Sequence, residues 1–265
     1  MSHIPDFISI IIPGYNEEKR ILASLESLSA FCEEHFQTYE ILFVDDGSTD
    51  RTRELIASFG NPRVRVVAYD QNRGKGFAVK KGTLSAMGQY RFFTDADLPY
   101  DLSGFLEAMH FFHTGPCDVV VGARDHPDST DRAGQTLVRR TASKAFSALV
   151  RLMLNVNIKD TQCGFKGFTA EAAEKLFSLS AIKGYAFDVE LLSLAQALDL
   201  KVCQVPVSLV ERNHSKVRMS LDAPMMFWDV LKLCFRRRVQ NKNRGVGEFM
   251  SREQGAKKAI KGMKR

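Results

Sequence analysis

The sequence predicts an α/β fold: a mostly parallel sheet covered by helices on both faces. Three observations carry this. Apolar runs alternate with helical patterns at βα spacing through the first half of the chain. Polar residues of chemical interest fall at or just beyond the ends of the predicted strands (Tyr15, Asp45 and Asp46, Asn72, Asp95 and Asp97, and Arg124), where open α/β sheets bind their ligands. A length of 265 residues, 45% of them hydrophobic, can also bury a full core.

The elements follow in order. Ile8 to Pro13 reads as a strand, and Glu17 to Phe31 as an amphipathic helix with Ile21, Leu22, Leu25 and Leu28 on one face. Glu40 to Val44 is a second strand. It runs into Asp45-Asp46-Gly47-Ser48-Thr49-Asp50, a turn cluster able to cap a helix over Arg51 to Phe59. Arg63 to Ala68 is a third strand and Gly76 to Met87 a helix. The apolar run Gln89 to Phe93 is a strand, Leu102 to Phe112 a helix, and Asp118 to Gly122 a strand. The second half is more helical, with helices expected over Arg139 to Asn155, Ala170 to Ser178 and Asp188 to Leu198. Phe165 to Phe168 is a short strand there, and Lys201 to Val210 is extended. Ala223 to Arg238 is amphipathic, and the polar, basic stretch Asn241 to Arg265 has a composition expected to remain disordered. The expected organisation is an α/β domain over 1–222, an amphipathic helix over 223–240 and a basic tail over 241–265.

Charge is unevenly distributed. The chain carries +6 overall, yet residues 232–265 hold 12 Lys/Arg against two Glu, so the preceding body is net acidic. The five cysteines are scattered with no Cys-X-X-Cys, which argues against a disulfide framework or a zinc site and for a reducing compartment. His3, His35, His110, His113 and His126 show no ligand spacing. The N-terminal residues lack the pattern of a signal peptide, and no run of 18 apolar residues suggests a bilayer span. Basic and aromatic residues do not interleave as a nucleic-acid surface would require.

The chemistry concentrates in Thr94-Asp95-Ala96-Asp97-Leu98. If the preceding run is a strand, Asp95 and Asp97 project from its carboxyl end on one side, because strand side chains repeat every second residue. Two hard oxygen donors suit Mg²⁺ or Mn²⁺, which complete their shells with phosphate oxygens. Such a pair alone is equally a solvated turn or a helix cap.

Four segments together resolve the ambiguity. Ile-Pro-Gly-Tyr-Asn-Glu-Glu (12–18), Val-Asp-Asp-Gly-Ser-Thr-Asp (44–50), Asn-Arg-Gly-Lys-Gly (72–76) and Asp-Ala-Asp (95–97) resemble, in order and spacing, the motif set of the inverting family 2 glycosyltransferases, which have the GT-A (Rossmann-like) fold. Asp160-Thr-Gln-Cys-Gly-Phe-Lys166 and Phe187-Asp-Val-Glu-Leu-Leu192 are similar to the dolichyl-phosphate glucosyltransferase branch, and the resemblance runs to about residue 235. It implies that Pro13, Tyr15 and Glu17 hold the nucleoside and that Asp45 and Asp46 hold base and ribose. Asn72, Gly74, Lys75 and Ala96 would also line the nucleotide-sugar site, Lys75 offsetting diphosphate charge, and Asp95 and Asp97 would bind the cation. Gly74 and Gly76 would let the backbone approach the ligand. Lys216 falls where relatives close a loop over the diphosphate. Mannosyl relatives carry a glutamine ligand two residues beyond the second Asp; here Pro99 stands there, leaving water or Asp101 to complete the shell.

On the acceptor side, Arg124, Arg139 and Ser143 match positions used for an acceptor phosphate, and guanidinium suits bidentate phosphate binding. Asp160 would lie near the reacting centre. Asp188 and Glu190 stand where hydroxyl-accepting relatives keep their general base, and in this branch either act so or brace the site.

The resemblance therefore implies metal-dependent, inverting transfer of a hexose from a nucleotide sugar, UDP-glucose ahead of GDP-mannose, to a polyprenyl (dolichyl or undecaprenyl) phosphate. The chain would act peripherally at the cytoplasmic face of a membrane, docked through the amphipathic helix and basic tail. Two other readings stay open: transfer to a saccharide or small-molecule hydroxyl with Asp188 or Glu190 as base, and an inactive nucleotide-sugar or lipid-binding module. A homo-oligomer or a membrane-protein partner is compatible with either.

Overall fold

The computed structural model describes residues 3–124, 129, 150, 158, 160–210 and 225–235. Seven strands form one sheet, in the order β3-β2-β1-β4-β6-β5-β7. They are β1 (Ile4–Gly14), β2 (Phe36–Asp46), β3 (Val64–Tyr69), β4 (Tyr90–Phe93), β5 (Val119–Ala123), β6 (Lys166–Thr169) and β7 (Val202–Pro206). The helices are α1 (Ile21–His35), α2 (Thr52–Ala57), α3 (Lys75–Ser85), α4 (Ser103–Thr114), α5 (Ala170–Leu179) and α6 (Phe187–Ala197), with a further helix at 225–235. The strand pairs are parallel except at β6, which runs antiparallel to both β4 and β5.

Strand alternation divides the core between the two faces. Ile8, Ile10 and Ile12 of β1, Ile41 and Phe43 of β2 and Phe92 of β4 pack on one side with α1 and α4. Ile11, Leu42, Val44 and Phe93 pack on the other with α3, α5, α6 and, from the last helix, Val230 and Leu233. Burial of both faces explains why these strands are apolar throughout rather than alternating.

Helix α1 starts at Ile21, four residues later than its periodicity suggests. Asn16 takes a left-handed φ of 54°, and the Glu17 N–H donates to Thr52 Oγ1 at 2.7 Å, so this stretch is a loop docked on the start of α2. Asp50 accepts the Thr52 N–H at 3.0 Å, one residue before Arg51, which is the N-cap of α2 and makes no side-chain cap. Cys117 and Cys203 face each other with Cα atoms 6.1 Å apart, a neighbourhood that their scatter along the chain did not suggest. They lie 86 residues apart, and only the parallel pairing of β5 with β7 brings them together.

Reversal of β6 positions the site. The carboxyl ends of β1, β2, β4 and β5 share one edge of the sheet, and the antiparallel β6 begins at that edge. Residues 160–166, which lead into β6, are thereby delivered to the strand ends that carry Asp95, Asp97 and Arg124.

Candidate active site

Strand β4 stops at Phe93, so Asp95 and Asp97 belong to a turn rather than to a strand pleat. The Leu98 N–H donates to the Asp95 carbonyl at 3.0 Å, and Leu98 takes a φ of 42°. The following residues are pinned to the stretch after β7: Asp101 N–H donates to Ser208 O at 2.9 Å and Val210 N–H to Pro99 O at 2.9 Å. Asp101 Oδ1 accepts the Ser103 N–H at 2.9 Å, which ties it to the start of α4.

Each carboxylate of the pair meets a cation from a different helix layer. Asp95 Oδ1 lies 2.5 Å from Lys75 Nζ, at the first residue of α3. Asp97 Oδ2 lies 3.7 Å from Arg20, just before α1, and Arg20 also pairs with the buried Glu17 at 3.1 Å. Burial and the neighbouring Asp95 raise the Asp97 carboxyl from 3.8 to about 6. Burial would lower Lys75, but Asp95 and Asp188 outweigh it and hold the ammonium above its usual range. Among the described residues no three His, Cys, Asp or Glu side chains gather as a ready-made metal cage. Two adjacent, partly buried carboxylates, with Asp97 disfavoured in its ionised form by burial and by Asp95, fit a divalent ion that shares its shell with a bound diphosphate.

Gly164 lets this pair sit where it does. A β-carbon there would overlap the Asp95 carboxylate and lie 3.0 Å from its Cγ. The Gly164 N–H donates to the buried Tyr100 hydroxyl at 3.1 Å, which ties the approach to β6 to the segment after Asp97.

A second cluster is anchored by Lys166, the fully buried first residue of β6. Its Nζ reaches Asp188 Oδ1 at 2.6 Å and the Cys163 carbonyl at 2.7 Å, above the ring of Phe93. Burial raises Asp188, and Lys166 and Lys75 oppose that rise. Glu190 Oε2 accepts the N–H groups of Ala181 and Ile182 at 3.0 and 2.8 Å. Arg124 and Asp160 form a bidentate pair at 2.6 and 2.8 Å, reinforced by the Arg124 N–H at 3.2 Å. Burial would raise Asp160, but Arg124 overcomes it and holds the carboxyl below its usual range.

The residues assigned to the nucleoside shape loops. Pro13 is buried at the end of β1, and Tyr15 lies just beyond it, partly exposed. Asp45, fully buried, accepts Arg53 through Nε and Nη2, both at 2.8 Å, and the Ser48 N–H at 3.0 Å. Asp46 accepts the Arg73 and Gly74 N–H groups at 2.7 and 2.9 Å, fixing the 72–76 loop. Asn72 packs against Gly47, where a β-carbon would lie 2.7 Å from the Asn72 nitrogen. In this structure Gly74 and Gly76 admit a neighbouring segment. Added β-carbons would come within 2.6 Å of the carbonyls of Lys183 and Ile182 respectively. Ala96 is buried inside the Asp95–Asp97 turn. Arg139, Ser143, Lys216, His126, the expected helix over 139–155 apart from Val150, and the basic tail lie outside the described residues.

Sequence reasoning gave no role to Lys166, Arg20 or Gly164. Lys166 had a legible signal, a lone cation inside the apolar strand Phe165 to Phe168. Arg20 had the i,i+3 spacing to Glu17. Gly164 stood inside the Asp160–Lys166 motif, but nothing there pointed to its contact with Asp95.

The sequence also matches the family described as Glycosyl transferase family 2 over residues 9–177. The chain belongs to this family. It is 35% identical to a dolichyl-phosphate beta-glucosyltransferase of Dictyostelium discoideum, over 87% of this chain and 74% of that protein. The human protein of the same description is 32% identical over 85% of this chain and 72% of its own length. The family 2 chain also shares its fold with glucosyl-3-phosphoglycerate synthase of Mycobacterium tuberculosis, solved with Mn²⁺, UDP and product. That match has a TM-score of 0.66 at 22% identity, and covers 86% of this chain and 80% of the other. The protein is thus a glycosyltransferase with a GT-A-like architecture, and among its described residues no helix is long and apolar enough to cross a membrane.

Proposed function

We propose that this glycosyltransferase moves glucose from UDP-glucose to a polyprenyl phosphate of the dolichyl type, inverting the anomeric centre and using Mg²⁺ or Mn²⁺. One observation favours a phosphate acceptor over a hydroxyl: the carboxylates able to act as a general base are already engaged. Asp188 is gripped by Lys166, Glu190 by two backbone N–H groups, and Asp160 by Arg124. A phosphomonoester, with a second pKa near ~6, arrives ionised and needs no base. Its oxygen attacks the anomeric carbon as the bond to the diphosphate breaks, and the electron pair leaves with UDP. A cation held by Asp95 and Asp97 would supply Lewis-acid stabilisation of that leaving charge. The names of the relatives and the Mn²⁺ and UDP of the structural neighbour support the donor, the acceptor and the metal.

Arg124, oriented by Asp160, would present its remaining donors to the acceptor phosphate, together with Arg139 and Ser143. Tyr15, Arg53 and the 72–76 loop would flank the nucleoside diphosphate, and Lys216 would close over it. The helix at 225–235 would seat the enzyme on the cytoplasmic face of a membrane. Val230 and Leu233 pack inward while Met225, Trp228 and Phe235 stand exposed, and three arginines follow in sequence.

The test offers UDP-glucose and GDP-mannose with dolichyl phosphate, and with dolichol as its unphosphorylated counterpart, with and without chelator. A β-glucosyl phospholipid formed only from UDP-glucose, phosphate and metal is expected. Glucosylation of the free alcohol would overturn the phosphate reading, and sedimentation that ignores anionic vesicles at low salt would overturn the docking.

A further inference from the structure

Lys75 forms the closest ion pair at the Asp95–Asp97 turn, and its partner is a carboxylate a divalent cation would require. Its Nζ stands 2.5 Å from Asp95 Oδ1, the carboxylate that a metal ion would contact at about 2.1 Å. A metal and an ammonium cannot share that oxygen without the two cations repelling each other. The backbone beneath Lys75 is fixed. Asp46 holds the N–H groups of Arg73 and Gly74, and Phe77 N–H donates to Lys183 O at 3.2 Å. The four-carbon stem above it is the adjustable part.

We infer that Lys75 occupies the cation's place on Asp95 in the ligand-free enzyme and is handed to the diphosphate when metal and nucleotide arrive, so that it couples the two binding events. This rests on the proposed metal role of Asp95 and Asp97. Metal binding alone must displace Lys75 with no new anion to receive it. Nucleotide binding alone must draw Lys75 away and leave Asp95 uncompensated. Arriving together, the two ligands exchange partners: the metal takes the carboxylates and Lys75 takes the diphosphate. Lys75 therefore weakens each ligand's solitary binding relative to joint binding, a coupling that is equal from either side.

Calorimetric titration of Mn²⁺, with and without UDP, tests this on the wild type and on Lys75→Gln, Lys75→Arg and Asp95→Asn, with thermal melts confirming the fold. In Lys75→Gln, Mn²⁺ alone is expected to bind about tenfold tighter, which is ~1.4 kcal/mol, and the enhancement by UDP should shrink by a similar factor. Lys75→Arg retains a cation and should stay near the wild type. Unchanged or weaker Mn²⁺ binding in Lys75→Gln overturns the handover, as does tightening in Lys75→Arg; if Lys75→Gln does not fold, Lys75→Met replaces it under the same criteria. Asp95→Asn separates the two claims: wild-type Mn²⁺ affinity there would remove the metal site itself, whatever Lys75 does.

Discussion

Replacing Asp97 by Asn should stabilise the metal-free protein near neutral pH. The side chain is mostly buried beside Asp95, and these two causes raise its carboxyl from 3.8 to about 6, against the weaker help of Arg20 at 3.7 Å. A folded-state value above the unfolded one means that the native protein binds the proton more tightly. Stability is therefore lost as pH rises from 3.8 through 6, and the full penalty is present above that window. At 1.36 kcal/mol for each pH unit, the ionised Asp97 costs up to ~3 kcal/mol at pH 7. Urea unfolding in EDTA should show Asp97→Asn more stable than the wild type by up to that amount at pH 7.5. The gap should close as the buffer approaches pH 4. Saturating Mn²⁺ should narrow or reverse the gap, because the native wild type, with both carboxylates, gains more binding free energy than the variant. A variant no more stable than the wild type at pH 7.5, or a gap indifferent to pH, would refute the reasoning.

Two further outcomes follow from packing. Gly164→Ala puts a methyl group into the Asp95 carboxylate; it should lower Mn²⁺ affinity and turnover at least about tenfold and cost ~1–3 kcal/mol of stability, and wild-type metal titrations would contradict the close approach. Lys166→Met leaves Asp188 buried without its partner, an expected loss of ~3–5 kcal/mol by urea melt that Lys166→Met with Asp188→Leu should largely recover; a loss under ~1 kcal/mol would show that the pair is not the anchor described.

Most of the scaffold could be read from the chain because its signals are local. Alternating β and α periods gave the strands and helices of the first half, and α1 shifted only because the Asn16–Glu17 loop binds the start of α2. The donor-side candidates were also legible, since each sits on a strand end within one βα unit. Their roles were less so. Asp45, Asp46 and the glycines at 74 and 76 first shape the walls of the site, through Arg53, the 72–76 loop and the 182–184 backbone. Sequence spacing cannot distinguish a residue that touches a ligand from one that holds a loop.

The sequence by itself determined the α/β class, the two carboxylates after β4 and the family that carries them, because strand and helix periods and short motifs are properties of neighbouring residues. Tertiary structure alone decided which side chains meet. The reversed β6 brings Gly164 against Asp95, Asp160 to Arg124 and Lys166 to Asp188, and α3 lays Lys75 on Asp95. Apart from Lys75 and Asp95, these partners lie between 22 and 69 positions apart in the chain, and the strand pairing that joins them is a long-range choice of the whole sheet.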